Sequence, residues 1–424
     1  MKILLVQSFL GSGEPSVFPL GLACLASSLP GHTVRVFDTN VGQRPYGELG
    51  KIIATFAPDV VGISLRNIDS TNKRRVVFYY ANLKPLIDTV KTHTAAPIVI
   101  GGSGFSMFAR EILADEPRID YGVFLEGEIT FPKLLANLRT PENVESVFYR
   151  RDGTVHFTGA GSAADLDAVP LPTRDCVTLA DYRHIPDAIG VETKRGCLLD
   201  CVYCIYGFLN GKVLRLRDPI HVADEIEDLA KNHGIERFTF VDSVFNVPPD
   251  HAAAVCREMV RRNLKVGWSA FFNEKTLTRE FIELARDAGC RNFILSPDGF
   301  SDETLRRLGK NIRKKDILRS HSLLKELDGF EVSYNFFKNP PGQTLSAALS
   351  LLSFSIRAKR EMGPRVHFEF SPIRVEPHTK LAQAAVEEGV IRPGENLLFP
   401  KYYTNARTWY VEKLFNLLLV LSGK

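Results

Sequence analysis

Short runs of β-branched and aliphatic residues alternate, along most of this sequence, with longer stretches whose apolar positions recur at helical spacing. Consecutive parallel strands need a helical crossover, so such alternation dictates parallel sheets covered by helices. In the first part, residues 2–6, 33–37, 60–65, 98–100 and 121–125 read as strands, and 18–29, 46–56, 73–92, 105–113 and 129–138 as helices. This predicts an α/β, doubly wound, Rossmann-like domain over 1–140. A second series has strands at 190–193, 237–241, 266–270, 292–295, 332–336 and 367–370. Helices fall at 219–232, 249–263, 278–288, 301–308 with 314–327, 344–360 and 379–388. Six β/α units are too few to close an eight-fold barrel, and predict a partial (β/α)6 barrel over 186–392. The rhythm breaks at 141–185, with a hairpin pattern around Asp152-Gly153 and then an Ala/Gly/Pro-rich stretch, read as a linker with a small hairpin. Residues 393–424 read as a helical extension.

Bulk properties narrow the function. With 424 residues, 45% of them hydrophobic, the chain is long enough for several packed domains. A net charge of +4 gives no basis for nucleic-acid binding, and the basic run 306–315 reads as a solvated helix face and loop. The longest apolar run, 414–421, is interrupted by Asn416 and falls far short of the roughly 20 residues that span a bilayer. It reads as a packing helix, and no secretory signal is visible. Seven cysteines, an odd number with three clustered, argue against a disulfide framework and for a reducing cytoplasm.

The cluster reads Lys194-Arg195-Gly196-Cys197-Leu198-Leu199-Asp200-Cys201-Val202-Tyr203-Cys204, directly after the first strand of the second series. Three thiolates this close can converge on one metal centre from a loop. Zinc normally takes four ligands, and no fourth Cys or well-placed His is near. Iron–sulfur cubanes are held by thiolates, and three protein ligands leave one iron open for chemistry. A zinc knuckle and three small buried hydrophobes are the alternatives.

Cys-x3-Cys-x2-Cys after the first strand of a six-unit barrel, with aromatic Tyr203 before the last Cys, resembles the radical S-adenosylmethionine (SAM) superfamily. Later segments resemble it in order: Phe240-Val241-Asp242-Ser243, Ser296-Pro297-Asp298, Asn339-Pro340-Pro341-Gly342-Gln343-Thr344 and Pro377-His378-Thr379-Lys380-Leu381. The resemblance implies a [4Fe–4S] cluster on Cys197, Cys201 and Cys204, whose open iron binds SAM. It implies SAM contacts from Tyr203, Asp242, Ser243, Ser296, Asp298 and Asn335. Taken singly, Asp242 is equally compatible with a helix cap and Asp298 with a turn.

In the first part, ligand loops are expected beyond the strand ends, where strand order reverses. Neither Gly11-Ser12-Gly13 nor Gly102-Ser103-Gly104 completes a dinucleotide fingerprint, which argues against NAD. Pro19-Leu20-Gly21, Asp59-Val60-Val61-Gly62-Ile63-Ser64, Ile98-Val99-Ile100-Gly101-Gly102 and Glu126-Gly127-Glu128 instead resemble the cobalamin (B12)-binding domain that precedes many radical SAM barrels. This implies cobalamin contacts from Pro19, Gly21, Asp38, Ser64, Leu65, Arg66, Asn67, Gly101, Gly102, Ser103, Glu126 and Gly127. The Asp-x-His-x-x-Gly ligand motif is missing, so the corrin would be bound without a histidine on its lower face. Arg66 is the candidate for that position. A cation there cannot coordinate cobalt, and would favour an electron-rich metal that captures methyl groups readily.

Together the resemblances imply a cobalamin-dependent radical SAM methyltransferase. It would move a methyl group from SAM by way of cobalamin to an unactivated carbon or a phosphorus of a small molecule or peptide, in specialised-metabolite biosynthesis. Flavodoxin or ferredoxin would be the reductant. A ring-forming or oxidative rearrangement enzyme is the enzymatic alternative, and a cobalamin- or redox-sensing binding protein the non-enzymatic one.

Overall fold

The computed structural model describes residues 1–421. It divides into two compact units, residues 1–70 with 76–190, and residues 71–75 with 191 onward.

The first unit runs β1 (Lys2–Gln7), α1 (Leu20–Ser27), β2 (Thr33–Asp38), α2 (Pro45–Phe56), β3 (Val60–Ser64), α3 (Leu83–His93), β4 (Ile98–Gly101), α4 (Ser103–Met107), α5 (Ala109–Asp115), β5 (Tyr121–Val123), α6 (Gly127–Ala136), β6 (Val147–Arg151) and β7 (Thr154–Phe157). Its sheet has the order β2-β1-β3-β4-β5-β6-β7. The first five strands are parallel and the last two antiparallel. Strand order reverses between β1 and β3, which sets the ligand crevice of an open α/β sheet beyond those two strand ends. β1 is buried from its second residue onward, as a central strand covered on both faces should be.

Three expectations are corrected here. The stretch 141–185 is not merely a linker: its hairpin adds β6 and β7 to the sheet, and Phe148 stacks on Phe157 (4.3 Å) and packs edge-on against Phe105. Covering the edge of β5 gives those aromatic residues a buried face and leaves fewer open hydrogen-bonding groups. The helix expected over 73–92 begins only at Leu83, after a single 3-10 turn at Tyr79–Asn82, and Pro85 falls in its first turn, where a missing N–H costs nothing. The helix expected over 105–113 is two short helices, broken at Phe108.

The second unit runs β8 (Gly190–Val191), β9 (Lys194–Arg195), α7 (Tyr206–Leu209), β10 (Arg215–Leu216), α8 (Pro219–Lys231), β11 (Arg237–Phe240), α9 (Pro249–Arg261), β12 (Gly267–Phe272), α10 (Arg279–Asp287), β13 (Cys290–Asp298), α11 (Asp302–Arg307), α12 (Lys314–Lys325), β14 (Glu331–Phe337), α13 (Leu345–Met362), β15 (Val366–Ser371), β16 (Ile373–Arg374), α14 (Lys380–Glu387), β17 (Tyr402–Tyr403) and α15 (Trp409–Leu421). Six strands lie in sequence order, β8-β11-β12-β13-β14-β15, with parallel pairing from β11 to β15. Side-chain caps from Asp218, Thr278, Ser301, Thr344 and Thr379 each accept a backbone N–H in the first turn of the following helix. Each cap satisfies a donor the helix leaves orphaned and so fixes where the helix starts.

The two faces of this sheet differ. Tyr334 and Phe336 are buried on the helix side, with Tyr334 packed against Phe354 of α13 and Phe336 against Phe300. The opposite face carries cross-strand polar pairs: Ser269 with Thr239 (3.0 Å), Ser333 with Asn292 (3.1 Å) and Asn335 with Ser296 (3.1 Å). A polar face inside an open barrel is a place for a ligand rather than for a packed core.

The residues after 392 are not purely helical, since β17 pairs with β16 before α15 begins. Within the run 414–421, Phe415 is buried against Phe370 (4.9 Å) and Leu417 is exposed. The side chains from 418 on, and the last three residues of the chain, lie outside the described residues. Among the described residues no helix is long and apolar enough to cross a membrane.

Candidate functional site

In the second unit, the three cysteines occupy the irregular loop that follows β9. Gly196 opens it at φ +97°, and a Cβ there would stand 2.1 Å from the Val213 carbonyl oxygen, so only glycine fits. The Cys197 N–H donates to the Gly211 carbonyl, the Val202 N–H to Leu308, and Val202 accepts from the Leu381 N–H. All three thiols are half-buried and none is in a disulfide. Burial raises the Cys201 thiol and pushes Cys204 up to about 11, and in both cases the neighbouring cysteines add to the rise. Thiols in such surroundings become good ligands when a metal supplies the compensating charge. Among the described residues no three His, Cys, Asp or Glu side chains converge on a single-ion site. Three thiolates on one loop would leave the fourth iron of a cubane open. The donor set fits a cubane.

Two buried ion pairs hold the flanks of this loop, and they revise two expected SAM contacts. Asp242, just past β11, is wholly buried with Lys194 (2.7 Å). Its carboxylate accepts from the Thr193 N–H (2.8 Å), the Thr193 hydroxyl (2.5 Å), the Lys194 N–H and the Lys194 ammonium. Both oxygens are saturated, so Asp242 anchors the entry to the loop and has no acceptor capacity left for SAM. Asp298 stands at φ +65° after a register shift that bends the end of β13. It accepts from the Tyr203 hydroxyl and from the Lys310 ammonium. Burial raises the Asp298 carboxyl, while Lys310 and Tyr203 pull it back. Asp298 therefore secures the cysteine loop through Tyr203, whose hydroxyl is likewise committed.

The remaining candidates are better placed for a ligand. The Ser243 hydroxyl is buried without a hydrogen-bond partner among the described residues, an unsatisfied group of the kind a bound polar molecule completes. Ser296 and Asn335 bond to each other on the polar sheet face and are only partly buried. Sequence reasoning missed Glu274, two residues past the end of β12. It is 2% exposed, one carboxylate oxygen has no partner, and burial raises it to about 7 against the pull of Lys310. Its place beyond a barrel strand's C-terminal end was a readable signal. Of the C-terminal aromatic residues, Tyr403 is buried and donates to Glu388 (2.6 Å), whereas Trp409 and Tyr410 are exposed.

In the first unit, the loops after β3 and β4 are locked together. The Leu65 N–H donates to the Gly101 carbonyl (2.8 Å), and the Arg66 carbonyl accepts from the Gly104 N–H (2.9 Å) and the Ser103 hydroxyl (2.7 Å). Gly102 has φ +99°, and a Cβ there would lie 2.6 Å from the Leu65 carbonyl oxygen. Leu65 is buried, Ser64, Asn67 and Ser103 are half-buried, and Arg66 is exposed. The Arg66 guanidinium makes no hydrogen bond or ion pair among the described residues. Just past β1, the Ser8 hydroxyl is buried without a partner among the described residues. Pro19 precedes α1 and is buried, Gly21 is exposed with open space around it, and Gly127 packs against Leu25. Glu126 accepts from the Ala164 N–H (3.1 Å). Asp38 is buried and accepts from Tyr182 (2.7 Å) and from the backbone and side chain of Asn40. Glycine-shaped loops, an unsatisfied Ser8, an uncommitted Arg66 and no histidine in residues 8–21 fit a corrin held without protein ligation to cobalt.

Comparison with known proteins agrees with both readings. Residues 9–135 match the B12 binding domain, and residues 191–355 the radical SAM superfamily. An uncharacterised methyltransferase of Pyrococcus horikoshii is 24% identical over 92% of this chain and 84% of its own. An anaerobic magnesium-protoporphyrin IX monomethyl ester cyclase of Synechocystis is 26% identical over 72% of this chain and 63% of its own. The fold is that of the radical SAM methyltransferase TsrM of Kitasatospora setae, solved with tryptophan and a SAM analogue. The TM-score is 0.80 and the identity 22%, over 93% of this chain and 77% of that one.

Proposed function

The chain belongs to the cobalamin-dependent radical SAM superfamily, and we propose that it is a methyltransferase whose acceptor is an unactivated carbon or a phosphorus of a small molecule or peptide. The observation that carries this is the three-cysteine loop, braced on both flanks by buried ion pairs, in a chain that also holds a B12-type sheet. When bound, the cluster supplies single electrons to cleave SAM, and cobalamin supplies a nucleophilic cobalt that relays methyl groups.

The protein's own residues bind, orient and exclude water. Cys197, Cys201 and Cys204 would hold the cluster. Ser243, Ser296 and Asn335 would meet SAM on the polar face of the partial barrel. The loops 64–67 and 101–103, with Ser8, Pro19, Gly21 and Gly127, would hold cobalamin, and Arg66 would lie by the lower face of the corrin. Glu274, poised near neutrality, can hold or release one proton at its unpartnered oxygen. A flavodoxin- or ferredoxin-type protein would supply electrons.

The similarity to cyclases favours a second reading, ring formation on the substrate. Anaerobic reconstitution, followed by mass spectrometry of SAM products with candidate acceptors, separates the two. Methylation yields S-adenosylhomocysteine together with a methylated product. Ring formation yields 5′-deoxyadenosine without methyl incorporation, and that result would overturn the methyltransferase reading.

A further inference from the structure

The basic run 306–315 does not form a uniformly solvated face. Arg306 and Arg307 pair with Glu303 at the surface. Lys310 turns inward, its side chain only 10% exposed. Its ammonium donates to the Ser296 carbonyl (2.6 Å), pairs with Asp298 and lies 5.5 Å from the centre of the Tyr203 ring. Tyr203 donates to the same Asp298.

The backbone holds this cation in place. The Leu308 carbonyl accepts from the Val202 N–H (3.0 Å). Gly309, at φ +69°, lies so close to the cysteine loop that a Cβ would be 2.4 Å from the Asp200 carbonyl oxygen. The segment carrying Lys310 is thus laid directly along residues 200–202, and the cation is fixed on the Cys201 side of the loop. A charge in such water-poor surroundings acts more strongly than one at the surface. Cluster potentials respond to nearby charge and to groups around the thiolate ligands. A cation favours the reduced, more negative cluster, and an anion opposes it.

We propose that Lys310 and Asp298 are an opposed pair of positioning residues that set the reduction potential of the cluster, Lys310 raising it and Asp298 lowering it. This rests on the assignment of the cluster to Cys197, Cys201 and Cys204.

The test is a redox titration followed by electron paramagnetic resonance. It uses the anaerobically reconstituted full chain and its Lys310→Met, Lys310→Arg and Asp298→Asn variants, with iron and sulfide assayed in each. Lys310→Met should lower the midpoint potential, Asp298→Asn should raise it, and Lys310→Arg should leave it near the wild-type value, at equal iron content. A purely packing role would move Lys310→Met and Asp298→Asn in the same direction or lower their iron content alike, and either result overturns the proposal. If Lys310→Met does not fold, a rise in Asp298→Asn with Lys310→Arg unmoved still supports it, and no rise overturns it. A wild-type chain that takes up no cluster removes the cluster assignment itself, whereas a loaded wild type with unmoved variants removes only the proposal.

Discussion

The loops of the first unit and the cysteine loop of the second are both proposed as ligand cradles, and they are built on opposite principles. The first is shaped by backbone: Gly101-Gly102-Ser103 lies against Leu65 and Arg66 through main-chain contacts, and its most prominent charge, Arg66, has no partner among the described residues. The second is braced by charge, with Lys194–Asp242 on one flank and Lys310–Asp298 with Tyr203 on the other, all largely buried. The contrast suits the proposed cargo. A corrin is a large neutral plate that needs room and close backbone approach. A thiolate-bound cluster is small and charged, and its ligands must be held at fixed spacing.

If charge is the brace in the second unit, removing half of a pair should be severe. Asp242→Ala leaves the Lys194 ammonium buried beside only a carbonyl and a hydroxyl. Stability should fall by about 3–5 kcal/mol, as for other broken buried pairs. Urea denaturation measures it, and a loss under about 1 kcal/mol would show that the pair is not the brace described here.

Glu274 sharpens the same contrast, because it is a buried carboxyl that the braces do not satisfy. Its folded pKa of about 7 lies above the ordinary carboxyl value. The folded state therefore keeps a proton that the unfolded chain has released. Its contribution is fully present below about pH 4.5 and lost as pH rises through about 7, a change of about 3 kcal/mol. Glu274→Gln should flatten the stability profile across that window, and an unchanged slope would place the titration elsewhere.

In the first unit the sensitive element should be backbone. Gly102 at φ +99°, ψ 167° occupies a region nearly closed to other residues. Gly102→Ala should cost about 1–3 kcal/mol and weaken cobalamin binding. Gly21→Ala meets open space and should leave stability unchanged, so a cobalamin affinity that also stayed unchanged would remove Gly21 from the site. Thermal melts and cobalamin titration measure both variants.

These variants also show what could be read in advance. The barrel strands, and the cysteine loop after the first of them, were legible because hydrophobic period and Cys spacing are local signals. The pairing of β6 with β5 was not, because an edge strand's partner is chosen by the three-dimensional sheet. Asp242 and Asp298 were found by position, but their buried ion-pair partners were not legible. Asp242 meets a lysine 48 residues away, and neither partner's sequence context marks the pair. Lys310 was hidden in a run of charges most of whose other members face solvent, and the close approach of Gly309 to Asp200 that accompanies its inward turn is a tertiary contact.

The smallest expected change in stability belongs to the residue on which the chemistry of the first unit is proposed to turn. The Arg66 side chain is exposed and without a hydrogen bond among the described residues, while its carbonyl is held by Ser103 and Gly104 whatever the side chain. Arg66→Leu should therefore shift stability by less than about 0.5 kcal/mol, as surface substitutions do. If the guanidinium lies by the corrin, the variant should still bind cobalamin but show an altered absorption spectrum and slower methyl capture from SAM. A loss of fold would make Arg66 a structural residue. Unchanged spectrum and capture rate would make it an ordinary surface arginine, and the electron-rich cobalt would need another source.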